Sequence, residues 1–321
     1  MKQDKKAAIL MATFNGEKYI EEQINSILNQ TYLNLDLFVR DDGSTDRTVE
    51  IVNSYIKKDK RVHLVSCGSN AKGACLNFYK LIQYAKEALC EYDYYFLSDQ
   101  DDIWYNEKVE QSIIEAETVK NNRPVLVYSD LLLMNENGDD NNEKMSDFHD
   151  INLKNPNNIY FDQIYVWGNT ICINNKMLGL VNIPISIYNQ LSHDHYLAFY
   201  GASFGVVKYV DKPLVKYRRH ENNLSDLPAS YSVKDTIMKI FTEWKKILRR
   251  HVQSFQNVLF FIENAPTKTE TMHDVENAIR KGGLGALRII RKYKIKAGSN
   301  IQNEVATKLI LLLGLHRRML K

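Results

Sequence analysis

The first 130 residues alternate short apolar runs with longer amphipathic segments, and this pattern restricts the chain to few architectures. Each apolar run has the length of a buried strand, and each following segment carries apolar residues at helical spacing. Strands separated by helices become parallel neighbours, with helices covering both faces of the sheet. The pattern predicts an α/β fold on a largely parallel sheet. The predicted strands are 7–12, 35–40, 62–66, 94–98 and 124–129, and the predicted helices are 17–28, 46–56, 73–88 and 106–118.

Two further stretches follow in this part of the chain. Residues 135–163 are rich in Asn and Asp, which favours an excursion over the surface near a site. From residue 165 the chain is apolar again, and its spacing predicts one helix and two strands, at 192–203, 206–210 and 214–218. We therefore expect the α/β domain to cover residues 1–228.

Charge is distributed unevenly along the chain, although the net charge is only +3. Residues 231–321 contain 18 Lys and Arg against 7 Asp and Glu, whereas the preceding residues contain 24 against 32. Helical patterns at 232–263 and 305–315 predict a basic helical region over 229–321, which we expect to contact the inner face of a membrane or to mediate homodimer formation. A solvated helical surface is the alternative. Because no aromatic residues are interleaved in a nucleic-acid-binding motif, we expect no nucleic-acid partner.

Composition restricts the class of protein further. A hydrophobic fraction of 44%, with 11% aromatic residues, supplies enough apolar surface for a sizeable core, and no apolar run has the length of a transmembrane helix. The lysines near the N-terminus precede a short apolar run without a cleavage site, so we expect a first strand there and not a signal peptide. Four cysteines without CxxC spacing are typical of reduced thiols in a cytoplasmic protein.

Polar clusters follow three of the first four predicted strands. Thr13-Phe14-Asn15-Gly16 follows the first, Asp41-Asp42-Gly43-Ser44 the second, and Asp99-Gln100-Asp101-Asp102 the fourth. Ligands of open α/β sheets bind where strands end, so these carboxylates are expected to converge and repel each other. Asp99-x-Asp101 has the oxygen ligands that Mg²⁺ prefers. Acidic runs also cap helices and Asp-Gly pairs form turns, and this structural alternative stays open.

These clusters resemble family 2 glycosyltransferases. The resemblance extends over residues 7–226 and is strongest to bacterial rhamnosyltransferases of cell-wall and capsular polysaccharide synthesis. It rests on segments that occur in the family's order: Ala12-Thr13-Phe14-Asn15-Gly16, Gln30-Thr31-Tyr32, Asp41-Asp42-Gly43-Ser44-Thr45-Asp46, Ser98-Asp99-Gln100-Asp101-Asp102-Ile103-Trp104, His193-Asp194-His195-Tyr196 and Tyr217-Arg218-Arg219-His220.

The resemblance implies a GT-A fold, an inverting transfer from a nucleoside diphosphate sugar, and a Mn²⁺ or Mg²⁺ cofactor. On this basis Thr13 and Asn15 lie beside the nucleotide, and Asp42 accepts a hydrogen bond from the base edge. Asp99 holds the ribose or assists the metal, and Asp101 ligates the metal. A neutral imidazole at His220 can complete the metal site, with an isolated surface histidine as the alternative. Arg218 or Arg219 binds the diphosphate, and the sequence does not distinguish the two.

The resemblance places the residues that act on the acceptor in a later segment, around Asp194. Asp194 is the expected base, because an inverting displacement requires a carboxylate that takes the proton of the attacking hydroxyl. Its position at the start of a predicted helix also fits an ordinary cap. Three residues are candidates for a sugar pocket, although tryptophan is more often a core residue: Trp104, Trp167 and Asn169.

The expected reaction is the transfer of L-rhamnose from dTDP-L-rhamnose to a lipid-linked surface glycan. Two alternatives stay open, namely a UDP-hexose donor such as UDP-galactose or UDP-N-acetylglucosamine, and a catalytically silent module that binds a sugar nucleotide or a glycan. A dinucleotide-dependent oxidoreductase is disfavoured because no GxGxxG follows the first strand.

Overall fold

The computed structural model describes residues 5–66, 73–151, 155–161, 166–220, 244–297 and 301–320. The predicted domain boundary after residue 228 and one cysteine, Cys67, lie outside the described residues. Of the other cysteines, Cys172 is buried, Cys75 is half-buried and Cys90 is exposed, and all three are free thiols. No helix in the described ranges is both long enough and apolar enough to cross a membrane.

Nine strands form one sheet in the described part of the chain. They are β1 (Ala7–Thr13), β2 (Leu35–Asp41), β3 (Val62–Leu64), β4 (Tyr94–Ser98), β5 (Ile103–Trp104), β6 (Val125–Met134), β7 (Asp140–Lys144), β8 (Cys172–Asn174) and β9 (Val206–Arg218). Their order is β3-β2-β1-β4-β8-β6-β9-β5, with β7 beside β6. β1 pairs in parallel with β2 and β4, β2 with β3, and β6 with β9. The prediction of a largely parallel sheet is confirmed.

Helices cover both faces of this sheet. They are α1 (Ile20–Leu28), α2 (Thr48–Lys58), α3 (Ala74–Ala88), α4 (Lys108–Glu117), α5 (Asn175–Leu180), α6 (His193–Phe204), α7 (Trp244–Asn264), α8 (Glu270–Lys281), α9 (Gly283–Lys292) and α10 (Ile301–Leu313). Alternate residues of β1 belong to opposite core clusters, Ile9 with α1 and α4, and Leu10 with α3 and α6. Every residue of β1 is therefore buried, which explains its continuous apolar run.

The C-terminal helices pack on the same core as the sheet. The Phe261 ring of α7 stacks on Phe199 of α6, with 4.9 Å between ring centroids. Phe255 of α7 meets Phe161 edge to face at 6.3 Å. The basic helical region therefore contributes apolar side chains to the core of the α/β domain.

Three predicted segments differ from the structure. The strands predicted at 206–210 and 214–218 are one strand, β9, whose register against β6 shifts where Pro213 lies opposite Asp130. The predicted surface excursion at 135–163 contains β7 and a short 3₁₀ helix, Pro156–Phe161, that buries Ile159, Tyr160 and Phe161. The antiparallel strand β8, between β4 and β6, was not predicted, because three residues are too few for a periodicity to be recognised.

Candidate functional site

The ends of β1 and β2 are joined by direct hydrogen bonds. The Asp42 amide donates to the Thr13 carbonyl at 2.9 Å, and the Thr13 hydroxyl donates to Asp41 Oδ1 at 3.1 Å. Asp41 Oδ2 accepts from the Gly43 and Ser44 amides at 2.9 and 2.8 Å, and Gly43 has a φ of +88° that favours glycine. Asp41 therefore holds the turn, which is the structural role that sequence analysis left open for this run.

Asn15 connects the loop after β1 to the same turn. Its backbone amide donates to Ser44 Oγ at 2.8 Å, and its side-chain Oδ1 accepts from the Thr45 backbone amide at 2.9 Å. Gln100 lies in the loop after β4 and makes two hydrogen bonds with the Phe14 backbone. Its Oε1 accepts from the Phe14 amide at 2.8 Å, and its Nε2 donates to the Phe14 carbonyl at 3.0 Å. The three predicted clusters therefore lie together at one edge of the sheet.

Asp42 is buried in a polar network that sequence analysis missed. Its Oδ1 accepts from Nη1 of buried Arg40 at 3.1 Å, and its Oδ2 accepts from the Gly73 amide at 2.7 Å. Nη1 of Arg40 also donates to Asn77 Oδ1 at 2.9 Å. The side-chain Nδ2 of Asn77 in turn donates to the Thr13 carbonyl at 3.1 Å. Arg40 thus fixes the orientation of Asp42. The available signal was an arginine directly after the apolar run 37–39, beside the acidic cluster.

The acidic run after β4 divides into side chains with different environments. Asp102 is fully buried, and it accepts from the Asn169 amide at 2.6 Å and from the Arg218 backbone amide at 3.2 Å. Burial and the charge of Asp101 raise the pKa of Asp102 to about 7, although the bond from Asn169 lowers it. Burial raises the pKa of Asp99 well above its usual value, with contributions from Asp102, Asp101 and Asp194.

Asp101 points to the end of β9. Its Oδ2 lies 3.0 Å from Nε2 of His220, and this hydrogen bond is the main cause of a raised His220 pKa. The His220 ring also stacks on Tyr19, with 5.4 Å between ring centroids. Within the described ranges no group of three His, Cys, Asp or Glu side chains is arranged to hold a metal ion. The structure thus supplies one carboxylate and one imidazole side by side.

The two arginines before His220 differ completely in environment. Arg218 is buried, donates to the carbonyls of Asp101 and Glu136, each at 2.9 Å, and pairs with the Glu22 carboxylate. Its guanidinium also lies 4.6 Å from the Tyr19 ring centroid. Arg219 is exposed, and its backbone amide continues the pairing with Met134. Arg218 therefore joins separate loops, and Arg219 is the arginine whose side chain faces solvent.

Asp194 lies in the first turn of α6. Burial works against its charge, but His195 and His193, together with hydrogen bonds from Ser192 and the His195 amide, hold its pKa below the usual value. The carboxylate is consequently ionised at neutral pH, the form that a general base requires. The charge of Asp194 is also one of the smaller causes of the raised pKa of Asp99, after burial, Asp102 and Asp101.

The three candidates for a sugar pocket are not equivalent. Trp104 is buried in the core, where its ring packs against Phe96. Lys108 Nζ lies 3.2 Å from the centroid of the Trp104 ring. Asn169 is also buried, between Asp102 and Lys108, whose Nζ donates to the Asn169 carbonyl at 2.6 Å. Both side chains are buried in this structure, and their part in a sugar pocket stays a prediction. Trp167 is half-buried, and its ring meets that of His149 at 5.5 Å between centroids.

A close contact fixes the turn that carries Trp167 and Asn169. A Cβ at Gly168 would lie 2.4 Å from Nε2 of His193, whose ring stacks on Phe78 with 4.0 Å between centroids. The His193 ring is buried and cannot move aside easily. We expect Gly168→Ala to lower the free energy of unfolding by about 1–3 kcal/mol, as overpacked core sites do. Denaturant unfolding measures this.

A matched glycine provides the control. Gly179 lies in α5, and a Cβ there meets no atom within 4 Å. We expect Gly179→Ala to leave stability unchanged or to raise it by about 0.5–1 kcal/mol, because alanine favours the helix. Equal stabilities for the two variants would contradict the assigned contact.

Comparisons with known proteins agree with this geometry. Residues 8–165 match the model of the family described as "Glycosyl transferase family 2". The chain is 29% identical over 260 residues to "dTDP-rhamnosyl transferase RfbG" of Shigella flexneri, covering 78% of this chain and 84% of that protein. It is 33% identical over 130 residues to the Escherichia coli glucosyltransferase WfgD, covering 40% of this chain and 47% of that protein.

A solved structure supports the fold. S. aureus TarS 1-349, crystallised with UDP-GlcNAc, superposes with a TM-score of 0.53 at 15% identity, over 96% of this chain and 92% of that chain. The fold is therefore that of a GT-A domain. The family match and the named relatives show that the protein is a glycosyltransferase. The chain belongs to glycosyl transferase family 2.

Proposed function

We propose that this glycosyltransferase moves L-rhamnose from dTDP-L-rhamnose, with inversion, onto a lipid-linked bacterial surface glycan. The meeting of the polar clusters after β1, β2 and β4 at one edge of the sheet carries the proposal, and Asp194 is the residue to which we assign the base. Similarity to RfbG over most of both chains supports the donor. WfgD is a UDP-Glc:α-D-GlcNAc-diphosphoundecaprenol β-1,3-glucosyltransferase, and its lipid-linked acceptor supports the acceptor class.

The nucleotide would lie across the ends of β1 and β2. Thymine presents an imide N–H, which the Asp42 carboxylate can accept, because each of its oxygens keeps a lone pair beyond the bonds from Arg40 and Gly73. Thr13 and Asn15 border the same position. We assign the diphosphate to Arg219, since the Arg218 guanidinium already bonds three acceptors.

We assign a Mn²⁺ or Mg²⁺ ion to the acidic edge of this site. Asp101 and His220, whose Oδ2 and Nε2 lie 3.0 Å apart, would supply two ligands, and the donor phosphates with Asp99 would complete the set. A divalent ion bound there would stabilise the negative charge of the departing diphosphate. Asp194 would take the proton of the acceptor hydroxyl as that oxygen attacks the anomeric carbon on the side opposite the diphosphate.

The proposal predicts a specific donor and a metal requirement. We expect the purified enzyme to release free nucleoside diphosphate from dTDP-L-rhamnose with Mn²⁺ or Mg²⁺, and chelation by EDTA to lower the rate at least about a hundredfold. Release of dTDP, with UDP-galactose, UDP-glucose and UDP-N-acetylglucosamine as competing donors, measures both. Preference for a UDP-hexose, which the name of WfgD favours, would replace the donor assignment. Activity unchanged by EDTA would contradict the metal.

A further inference from the structure

Exposed apolar side chains are concentrated on the last two helices and on the residues that directly follow them. Of the eleven large apolar side chains that stay exposed in the described part of the chain, six lie between residues 284 and 319. Solvent-facing apolar residues scattered singly over a protein are ordinary, whereas a local concentration marks an interaction surface. We call these six the C-terminal apolar surface: Leu284, Val305, Leu309, Leu313, Leu315 and Met319.

Helix α10 is apolar on two opposite faces. Ala306, Ile310 and Leu311 are buried and face the core. Val305, Leu309 and Leu313 follow each other at intervals of four residues and are 44%, 39% and 61% exposed. Residues at this spacing lie on one face of a helix. One apolar face of α10 is therefore used in folding, and the other is presented to the outside.

The start of α9 lies against the end of α10. A Cβ at Gly282 would lie 2.7 Å from the carbonyl oxygen of Leu311, so the residue before α9 packs directly on the last turn of α10. Two residues further on, Leu284 is 65% exposed. Leu284 therefore lies on the helix that neighbours α10.

Positive charge accompanies these apolar side chains. Arg288 and Arg291 share one side of α9 with Leu284, at intervals of four and three residues, and both arginines are exposed. Lys281, at the end of α8, is exposed as well. Arg317 and Arg318 are exposed between Leu315 and Met319. In the ranges that the structure describes, none of these five cations has a carboxylate at ion-pair distance. Other basic residues nearby are paired, such as Lys292 with Glu270 and Asp274.

We propose that the C-terminal apolar surface binds the interface of an anionic lipid bilayer, with its leucines among the acyl chains and the five cations at the headgroups. Apolar residues flanked by unpaired cations are the combination that interfacial helices use. A second copy of this chain fits less well, because it would bring like charges together. The charge distribution in the sequence predicted only a basic region. The structure shows in addition that exposed apolar side chains accompany these charges on α9, on α10 and after α10. The proposal does not depend on the sugar donor, because binding is measured without turnover.

The test is flotation of the whole protein with vesicles. We expect binding to vesicles of phosphatidylcholine with phosphatidylglycerol, and little binding to phosphatidylcholine alone. The double variant L309D/L313D should bind at least about a hundredfold more weakly, since two leucines leave the acyl region. R288Q/R291Q should bind about thirtyfold more weakly at low salt. The control I185D changes an 82% exposed apolar residue outside this surface and should bind normally.

Circular dichroism and thermal unfolding establish that each variant is folded. The proposal is overturned if the wild-type chain does not float with anionic vesicles at low salt, or if folded L309D/L313D floats as well as I185D. It is equally overturned if sedimentation shows a dimer that L309D/L313D dissociates, because the occupant is then a second copy. Loss of donor hydrolysis would affect none of these outcomes, so failure of the proposed function is distinguishable.

Discussion

Asp194→Asn is expected to lower kcat about 10³-fold while the KM for the nucleotide sugar changes little. The amide keeps the size of the side chain and can still accept from the His195 amide, but it cannot take a proton from the acceptor. General bases contribute about 10²–10⁴ in rate, which sets the scale. Initial rates with a defined acceptor, together with donor binding by calorimetry, measure the two effects.

The matched control for Asp194→Asn is Asp211→Asn, at an exposed position of β9. We expect it to leave kcat unchanged. If folded Asp194→Asn retained kcat within a few-fold of the wild type, Asp194 would have only a structural role in the first turn of α6. Another group would then have to serve as the base.

Asp101→Asn is expected to lower kcat/KM at least about 10³-fold at a fixed Mn²⁺ concentration, and to raise the Mn²⁺ concentration needed for half-maximal activity. An amide is a much weaker ligand for a hard cation than a carboxylate, although it can still bond His220. Partial rescue at high Mn²⁺ is part of the expectation, because only one ligand is changed. A Mn²⁺ titration of activity and of electron paramagnetic resonance intensity measures the shift.

The matched control is again Asp211→Asn, which should show the wild-type dependence on Mn²⁺. An Asp101→Asn enzyme with wild-type Mn²⁺ binding but lower activity would remove Asp101 from the metal site. It would leave the residue a role in holding His220 and the end of β9.

The architecture could be predicted from the sequence because the apolar residues of its long strands and helices recur in regular patterns. The apolar runs at 7–12 and 94–98 correspond to β1 and β4, and strands buried on both faces leave such runs. Short or irregular elements left no such signal. The three residues of β8 are too few, and the Asn-rich composition of 135–163 concealed the buried Ile159–Phe161.

The candidate site was predicted in position but not in the division of roles. Sequence order placed the acidic clusters at one edge of the sheet, but neighbouring carboxylates are indistinguishable in sequence. Only three-dimensional packing separates Asp102, buried under Asn169, from Asp101, which faces His220. Arg40 was missed for the same reason, because its partner Asn77 is 37 residues away. The roles assigned to Asp194, Asp101 and Asp42 stay predictions until the variants are measured.

The buried Asp102 has a consequence for re-engineering this enzyme. One carboxylate holds both the turn that carries Asn169 and the end of β9, so these two segments are locked to each other. A library that varies Asn169 would therefore disturb the strand leading to His220, and most of its members would lose activity whichever sugar was offered. Trp167, half-buried on the same turn, is the predicted sugar-pocket residue whose variation would leave the bonds of Asp102 to Asn169 and to β9 in place.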